Sequence, residues 1–288
     1  MENDVRVIVH PTAAAFLEAA RPELGEHEAE HHLVLGIAES MITTPPKSYL
    51  FAVTIHDAKG LALAALMTAS RPLVLASDRA SIGAHAPFLW DAVAAAGHVP
   101  SHLIGTVGQV EGLVEEWTRR GHSARVVMHQ RAFRLTQVNV VPSVSGTLRV
   151  ATMDDLDLVT DWVAAFESEA VANVLPLNST RAVAERRVTA GEVFLWCDPD
   201  PRTMAGSARP TARAVAVNAV YTPPEWRRRG YATACVAAVS TILLDRGFEM
   251  CVLYSDLANP TSNAIYSRIG YRPTRDFLMY ALTPASPE

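Results

Sequence analysis

The chain has 288 residues, 49% hydrophobic and 19% charged, with a net charge of -5, which is globular material sufficient for one large or two ordinary domains. This mildly acidic balance fits poorly with nucleic-acid binding through phosphate neutralisation. No apolar run is long enough to cross a bilayer, and Met1-Glu2-Asn3-Asp4 lacks the basic start of a signal peptide, so no membrane partner and a cytoplasmic location are expected.

In the first half, helical periodicity predicts helices over Thr12 to Ala20 and His27 to Met41, and apolar runs predict strands over Tyr49 to Ile55, Leu61 to Met67 and Leu73 to Leu75. A helix near Pro87 to Ala96, a short strand at His102 to Ile104, a helix from Val107 to Arg119 and a strand from Ala124 to Arg134 follow. Gln137 to Thr147, with its proline, glycine and serines, reads as a boundary. It divides the chain into 1–136, a linker at 137–147, and 148–288.

After the boundary, Leu148 to Thr152 reads as a strand, and the acidic turn Met153-Asp154-Asp155 opens an amphipathic helix to about Glu169. A second helix is expected over Ser179 to Ala190, with Ser179 or Thr180 as cap. Phe194 to Asp198, Thr203 to Arg209 and Arg213 to Val220 read as strands. A helix from Thr233 to Leu244, a strand from Met250 to Ser255, a helix from Pro260 to Ile269 and a strand from Tyr271 to Leu282 complete the order.

The most informative segment runs from Val217 to Ala232, where Arg227, Arg228 and Arg229 sit just ahead of a helix. A helix N-terminus carries roughly +0.5 of an elementary charge, so cations there call for an anion, and Gly230 lets a backbone approach closely. A plain solvated charge run is the alternative. The order Val220-Tyr221-Thr222-x-Pro224-x-x-Arg227-x-x-Gly230-x-Ala232 resembles the acyl-CoA-binding motif of the GNAT N-acetyltransferase superfamily, R/Q-x-x-G-x-G/A.

The resemblance with specific motifs covers about Leu148 to Leu282. It implies an α/β fold with a mixed, mostly antiparallel sheet flanked by helices. The first half, which has no such loop between Ala69 and Pro87, is then a degenerate GNAT-like partner, giving tandem GNAT-like domains. The resemblance also implies acetyl-CoA as cosubstrate, with Val220, Tyr221, Thr222, Arg227, Arg228, Arg229, Gly230, Tyr231, Ala232, Asn259 and Asn263 around it. Tyr266 is then the catalytic acid on the departing thiolate. The activity implied is acetyl transfer to a primary amine of a small molecule or peptide. A CoA-binding module without turnover and an aminoacyl or peptidyl transferase of tandem type are the rivals. No general base is legible: the strand Arg213 to Val220 has no carboxylate or histidine, leaving Glu225, Asp256, a water chain or an acceptor of lowered pKa.

The other constellations read as structure. Asn259-Pro260 and Gly270 are helix start and stop signals. His27-Glu28-Ala29-Glu30-His31 matches H-E-x-x-H but lacks a third ligand downstream, so a solvated, charged helical turn is expected and no metal. Gly105-Thr106-Val107-Gly108 reads as a strand-to-helix turn. Trp226 and Tyr231 beside the arginines are a weak single-strand nucleic-acid signal in an acidic chain. Cys197, Cys235 and Cys251 read as reduced core residues. All 10 histidines lie between His10 and His129, and Lys47 and Lys59 are the only lysines among 25 basic residues.

Overall fold

The computed structural model describes residues 5–43, 50–68, 71–170 and 177–285. Met1 to Asp4, Lys47, Tyr49 and Ala69, named above, lie outside them. The chain forms two compact units that do not follow it linearly: Met1–Ala132 with Arg209–Thr211 and Thr274–Glu288, and Phe133–Ala208 with Ala212–Pro273.

The first unit holds β1 (Arg6–Val9), α1 (Ala13–Leu24), α2 (Glu28–Thr43), β2 (Leu50–Asp57), β3 (Gly60–Thr68), β4 (Leu73–Ala76), α3 (Ala86–Ala95), β5 (His102–Thr106), α4 (Val107–Arg119) and most of β6 (Ser123–Leu135). β1 is a strand that the sequence reading missed. Its four residues are largely exposed, which leaves no alternation to read. α1 runs on through Pro22 to Leu24, past the expected stop at Ala20, with Thr12 capping the amide of Ala15 at 3.2 Å.

Strand order in this unit is β1-β2-β3-β4-β5-β12-β6, where β12 is Arg272–Thr283. Phe277 to Ala281 pair antiparallel with Thr106 to His102, while β4 and β5 pair in parallel at Leu73↔Leu103 and Val74↔Ile104. Leu278 and Leu282 join Trp90, Trp117, Phe51 and Leu103 in the core of this unit. The nearly unbroken apolar run of β3 is buried on both faces.

The second unit holds β7 (Thr147–Val150), α5 (Leu156–Ala170), α6 (Leu177–Thr189), β8 (Val193–Cys197), β9 (Pro201–Ala208), β10 (Ala214–Tyr221), α7 (Tyr231–Asp245), β11 (Met250–Asp256) and α8 (Pro260–Ile269). Its strand order is β11-β10-β9-β8-β7, antiparallel except for the parallel pair of β10 and β11. One core packs α7 and α8 against Phe194, Val217 and Leu253, and a second packs α5 and α6 against Leu195, Met204 and Tyr221. α6 begins at Leu177, so Ser179 and Thr180 lie in its first turn and not at its cap.

The segment 137–147 is no loose tether. The Asn139 amide donates to Ile269 at 2.8 Å, and Trp196 Nε1 donates to the Ser145 carbonyl at 2.9 Å. No helix among the described residues is long and apolar enough to cross a membrane.

Candidate active site

The site is built where β10 ends. Parallel pairing between β10 and β11 covers only Ala214 to Ala216 opposite Met250 to Val252. On the other edge, the register with β9 shifts between Asn218 and Tyr221, and Ala219 adopts φ 49°, so the strand bulges. A crevice beyond the carboxyl ends of diverging parallel strands is where open α/β sheets take ligands. The end of the strand is fixed by Thr203, whose Oγ1 donates to the Tyr221 carbonyl at 2.7 Å and lies 2.8 Å from the Thr222 hydroxyl.

From there, Pro224–Trp226 make one tight turn, Arg227 is extended, and Arg228 and Gly230 take φ 61° and 89°. α7 then starts at Tyr231, two residues before the predicted Thr233, with no side chain capping it. The first helical bond is Ala234 N–H to the Gly230 carbonyl at 3.0 Å, so the amides of Tyr231, Ala232 and Thr233 open the helix without an intrahelical acceptor. A Cβ on Gly230 would fall 2.8 Å from Cγ1 of Val144. The loop needs a residue that tolerates positive φ and has no side chain.

The three arginines diverge. Arg227 Nε donates to the Thr222 carbonyl at 2.8 Å, and its Nη2 lies 2.9 and 2.8 Å from the two carboxylate oxygens of Glu169 at the end of α5. Arg229 lies over the ring of Trp226 at 4.7 Å, where Arg202 also stacks at 3.8 Å. Arg228 has no hydrogen-bond or ion-pair partner among the described residues. Tyr231 serves as an anchor through its hydroxyl, which donates to Asp198 at 2.7 Å; Asp198 also accepts from Ser145. Those two hydrogen bonds, Ser145 first, hold the Asp198 carboxyl below its usual range. Glu169, Arg202 and Asp198 were all missed from sequence. They lie in other segments, and nothing local marks them.

On α8, Asn259 caps the helix by accepting from Ser262 N–H at 3.0 Å. Asn263 Nδ2 donates to the Asp256 carbonyl at 3.0 Å, while its Oδ1 is buried without a partner. A buried orphan acceptor is costly unless something donates to it. Tyr266 shares a core with Val217, Leu253 and Phe133, against which Val220 also packs. Burial pushes its phenol up to about 12. Its hydroxyl has no hydrogen-bond partner among the described residues. Asp256 is committed to a turn, accepting from Ala258 N–H at 2.8 Å.

In the first unit, the loop after β4 is tied down by side chains of the same unit, Asp57 of β2 and Gln109 of α4. Asp57 takes Arg79 and His85, with Arg79 Nη2 at 2.7 Å and His85 Nε2 at 3.0 Å, and Gln109 Nε2 donates to the carbonyls of Ser77 and Arg79 at 2.7 and 2.8 Å. Gly105, Gly108 and Gly112 are packing glycines: a Cβ would meet Leu75, the Ala80 carbonyl and Gly83 at 3.0, 3.0 and 2.9 Å.

The H-E-x-x-H turn is not solvated as expected. Glu28, His31 and His32 are buried, Glu28 accepts from Thr211, and His27 and His31 lie 3.0 and 2.9 Å from one Asp78 oxygen. Partial burial works against the Asp78 charge, but hydrogen bonds and charge from His31 and His27 bring its carboxyl to about 2. Burial, with the Arg209 charge adding to it, lowers His32 to about 3. Among the described residues no group of three or more His, Cys, Asp or Glu side chains is arranged to hold a metal ion.

Residues 203–278 match the family model of FR47-like protein. No curated protein matches the chain. Among solved structures, a GCN5-related N-acetyltransferase from Sphaerobacter thermophilus is 14% identical with a TM-score of 0.63, covering 98% of this chain and 97% of its own. A Drosophila protein is 13% identical with a TM-score of 0.66, over 99% and 100% of the two chains. A tandem GNAT protein from the clavulanic acid biosynthesis pathway is 12% identical with a TM-score of 0.54, over 99% and 100%. The chain therefore has the tandem fold of GCN5-related N-acetyltransferases, and the stretch that matches the FR47-like family carries the loop, bulge and helix of the candidate site.

Proposed function

We propose that the second unit binds acetyl-CoA and transfers its acetyl group to a primary amine. The observation that carries this reading is the uncapped N-terminus of α7, entered through Gly230 at φ 89° and lying beyond the diverging ends of β10 and β11. Free amides of a first helical turn, with the helix dipole behind them, bind phosphate oxygens. Acetyl-CoA supplies the pyrophosphate for that cradle and a thioester as electrophile. The amides of Tyr231, Ala232 and Thr233 hold the pyrophosphate, with Arg228 free to add charge, while Arg227 braces the loop through Thr222 and Glu169.

The backbone of Val220 to Thr222, unpaired with β11, offers donors to the thioester arm and to the oxygen on which charge develops. The buried, orphaned Oδ1 of Asn263 suits an amide N–H of that arm. Tyr266, protonated across the neutral range as any phenol is, is the donor for the departing sulfur. A binding module without turnover is the second reading, favoured by two facts: Asp256 is tied into its turn, and β10 carries no carboxylate. Calorimetry with CoA, followed by thiol release from acetyl-CoA across a panel of amines, separates the two readings. No CoA binding would overturn both.

A further inference from the structure

β10 is apolar except at one position, Asn218. Its neighbour Val217 packs into the core around α7, so Asn218 stands on the opposite face, towards α6. There it meets Arg187, a buried arginine of α6 only 7% exposed. Arg187 Nη2 donates to Asn218 Oδ1 at 2.7 Å and to the Ser207 carbonyl at 3.2 Å. The space is made by Gly206, the residue opposite Asn218 in the β9–β10 ladder, where a Cβ would fall 2.1 Å from that nitrogen. Glu192 Oε2 lies 3.6 Å from Arg187 Nε.

A core does not bury a guanidinium and give up a strand side chain to fit it without a structural or chemical return. With Oδ1 held by Arg187, the amide of Asn218 is fixed in one orientation, and Nδ2 carries its two hydrogens away from Arg187. That nitrogen has no protein partner among the described residues, and it is not among the buried unpartnered atoms. It is an accessible donor at the bulge, beside the diverging strand ends. The cation behind it strengthens it as a donor and makes its surroundings unwelcoming to an ammonium. Such a group selects an oxygen.

Resting on the acetyltransferase reading above, we infer that Asn218 binds the acceptor and that Arg187 is its positioning residue. The acceptor then bears a hydrogen-bond-accepting oxygen next to its amine-bearing carbon, as amino acids, their amides and amino alcohols do. The strand thereby takes up the acceptor through a donor, with no base of its own.

The test uses matched acceptors, alaninamide against isopropylamine and phenylalaninamide against 2-phenylethylamine, with thiol release from acetyl-CoA as readout. Amine basicity differs within a pair, so the quantity compared is the kcat/KM ratio of each pair in each protein. Asn218→Ala should lower that ratio about tenfold or more. Arg187→Met should lower it to a similar degree, and the double variant should lose no more than either single one. Asn218→Asp gives Arg187 a stronger partner but removes the donor, so it should fold, bind CoA as wild type does, and still lose the ratio. This variant and Asn218→Ala decide the matter if Arg187→Met does not fold. An unchanged ratio in Asn218→Ala, or losses that multiply in the double variant, would overturn the inference while leaving the acetyltransferase reading intact. CoA binding without turnover on any amine of the panel would overturn both.

Discussion

Gly230 is the position where backbone geometry and the proposed binding of CoA meet most directly. Replacing it with alanine forces an L-residue to hold φ 89°, at a cost of about 1–2 kcal/mol. The new Cβ also meets Val144 Cγ1 at 2.8 Å, an overpacking worth about 1–3 kcal/mol. The total of about 2–5 kcal/mol should lower Tm by roughly 5–20 °C in a chain of this size. The second contribution is separable, because Val144→Ala removes the opposing methyl. Gly230→Ala/Val144→Ala should regain the packing share and keep the φ share. CoA affinity by calorimetry should fall at least about tenfold in Gly230→Ala, since a shifted turn misaims the first amides of α7. In Gly230→Val, with a branched Cβ, binding should be lost. A Gly230→Val protein that is less stable yet binds CoA as wild type does would refute the assignment of this loop.

Tyr266→Phe keeps the ring among Phe133 and Tyr271, so CoA affinity should hold while turnover falls by about 10²–10⁴, or about 3–5 kcal/mol of barrier. Unchanged turnover would remove Tyr266 from the chemistry. Calorimetry should return one CoA per chain, because Asp57, Arg79 and Gln109 fill the corresponding loop of the first unit; a value of two would overturn that reading. Asp155 closes a capping box with Thr152, and Arg149 chiefly, against some desolvation, lowers its carboxyl from 3.8 to about 2. Its folded value is depressed, so its stabilisation of about 2 kcal/mol is complete above pH 4 and lost as pH falls through 2. Asp155→Asn should therefore be less stable by up to that amount at pH 7, with the gap to wild type closing in acid; a gap constant down to pH 2 would refute the coupling.

The loop proposed to hold phosphate has the geometry its sequence announced, because its determinants are local: Gly230, the arginines and the apolar helix that follows all lie within one short window. Its supports were not. Glu169 reaches Arg227 from α5, Asp198 holds Tyr231 from beyond β8, and Arg187 meets Asn218 from α6, and no local pattern announces a partner so distant in sequence. Asn218 carried a signal that could have been read, as the lone polar side chain of an apolar strand. The His27 to His31 turn looked solvated because its charges are local, whereas Asp78 and Thr211, which satisfy them, lie in other segments. The same reason hid the pairing of β12. Its residues plainly formed a strand, but periodicity does not say which edge a strand will join.

That last pairing bears on how the molecule comes to be. The ribosome usually lets a chain fold from its start, each unit completing as it emerges. Here the unit made first cannot finish first. β5 is ready once Thr106 has emerged, but its partner, Phe277 to Ala281, and the core residues Leu278 and Leu282 appear only after the whole second unit has been synthesised. Until then the nascent first unit holds an open strand edge and a core without Leu278 and Leu282. A cut at the 137–147 segment would make that transient state permanent: the amino-terminal piece would lack its last strand, and the carboxyl-terminal piece would carry one with nothing to pair with.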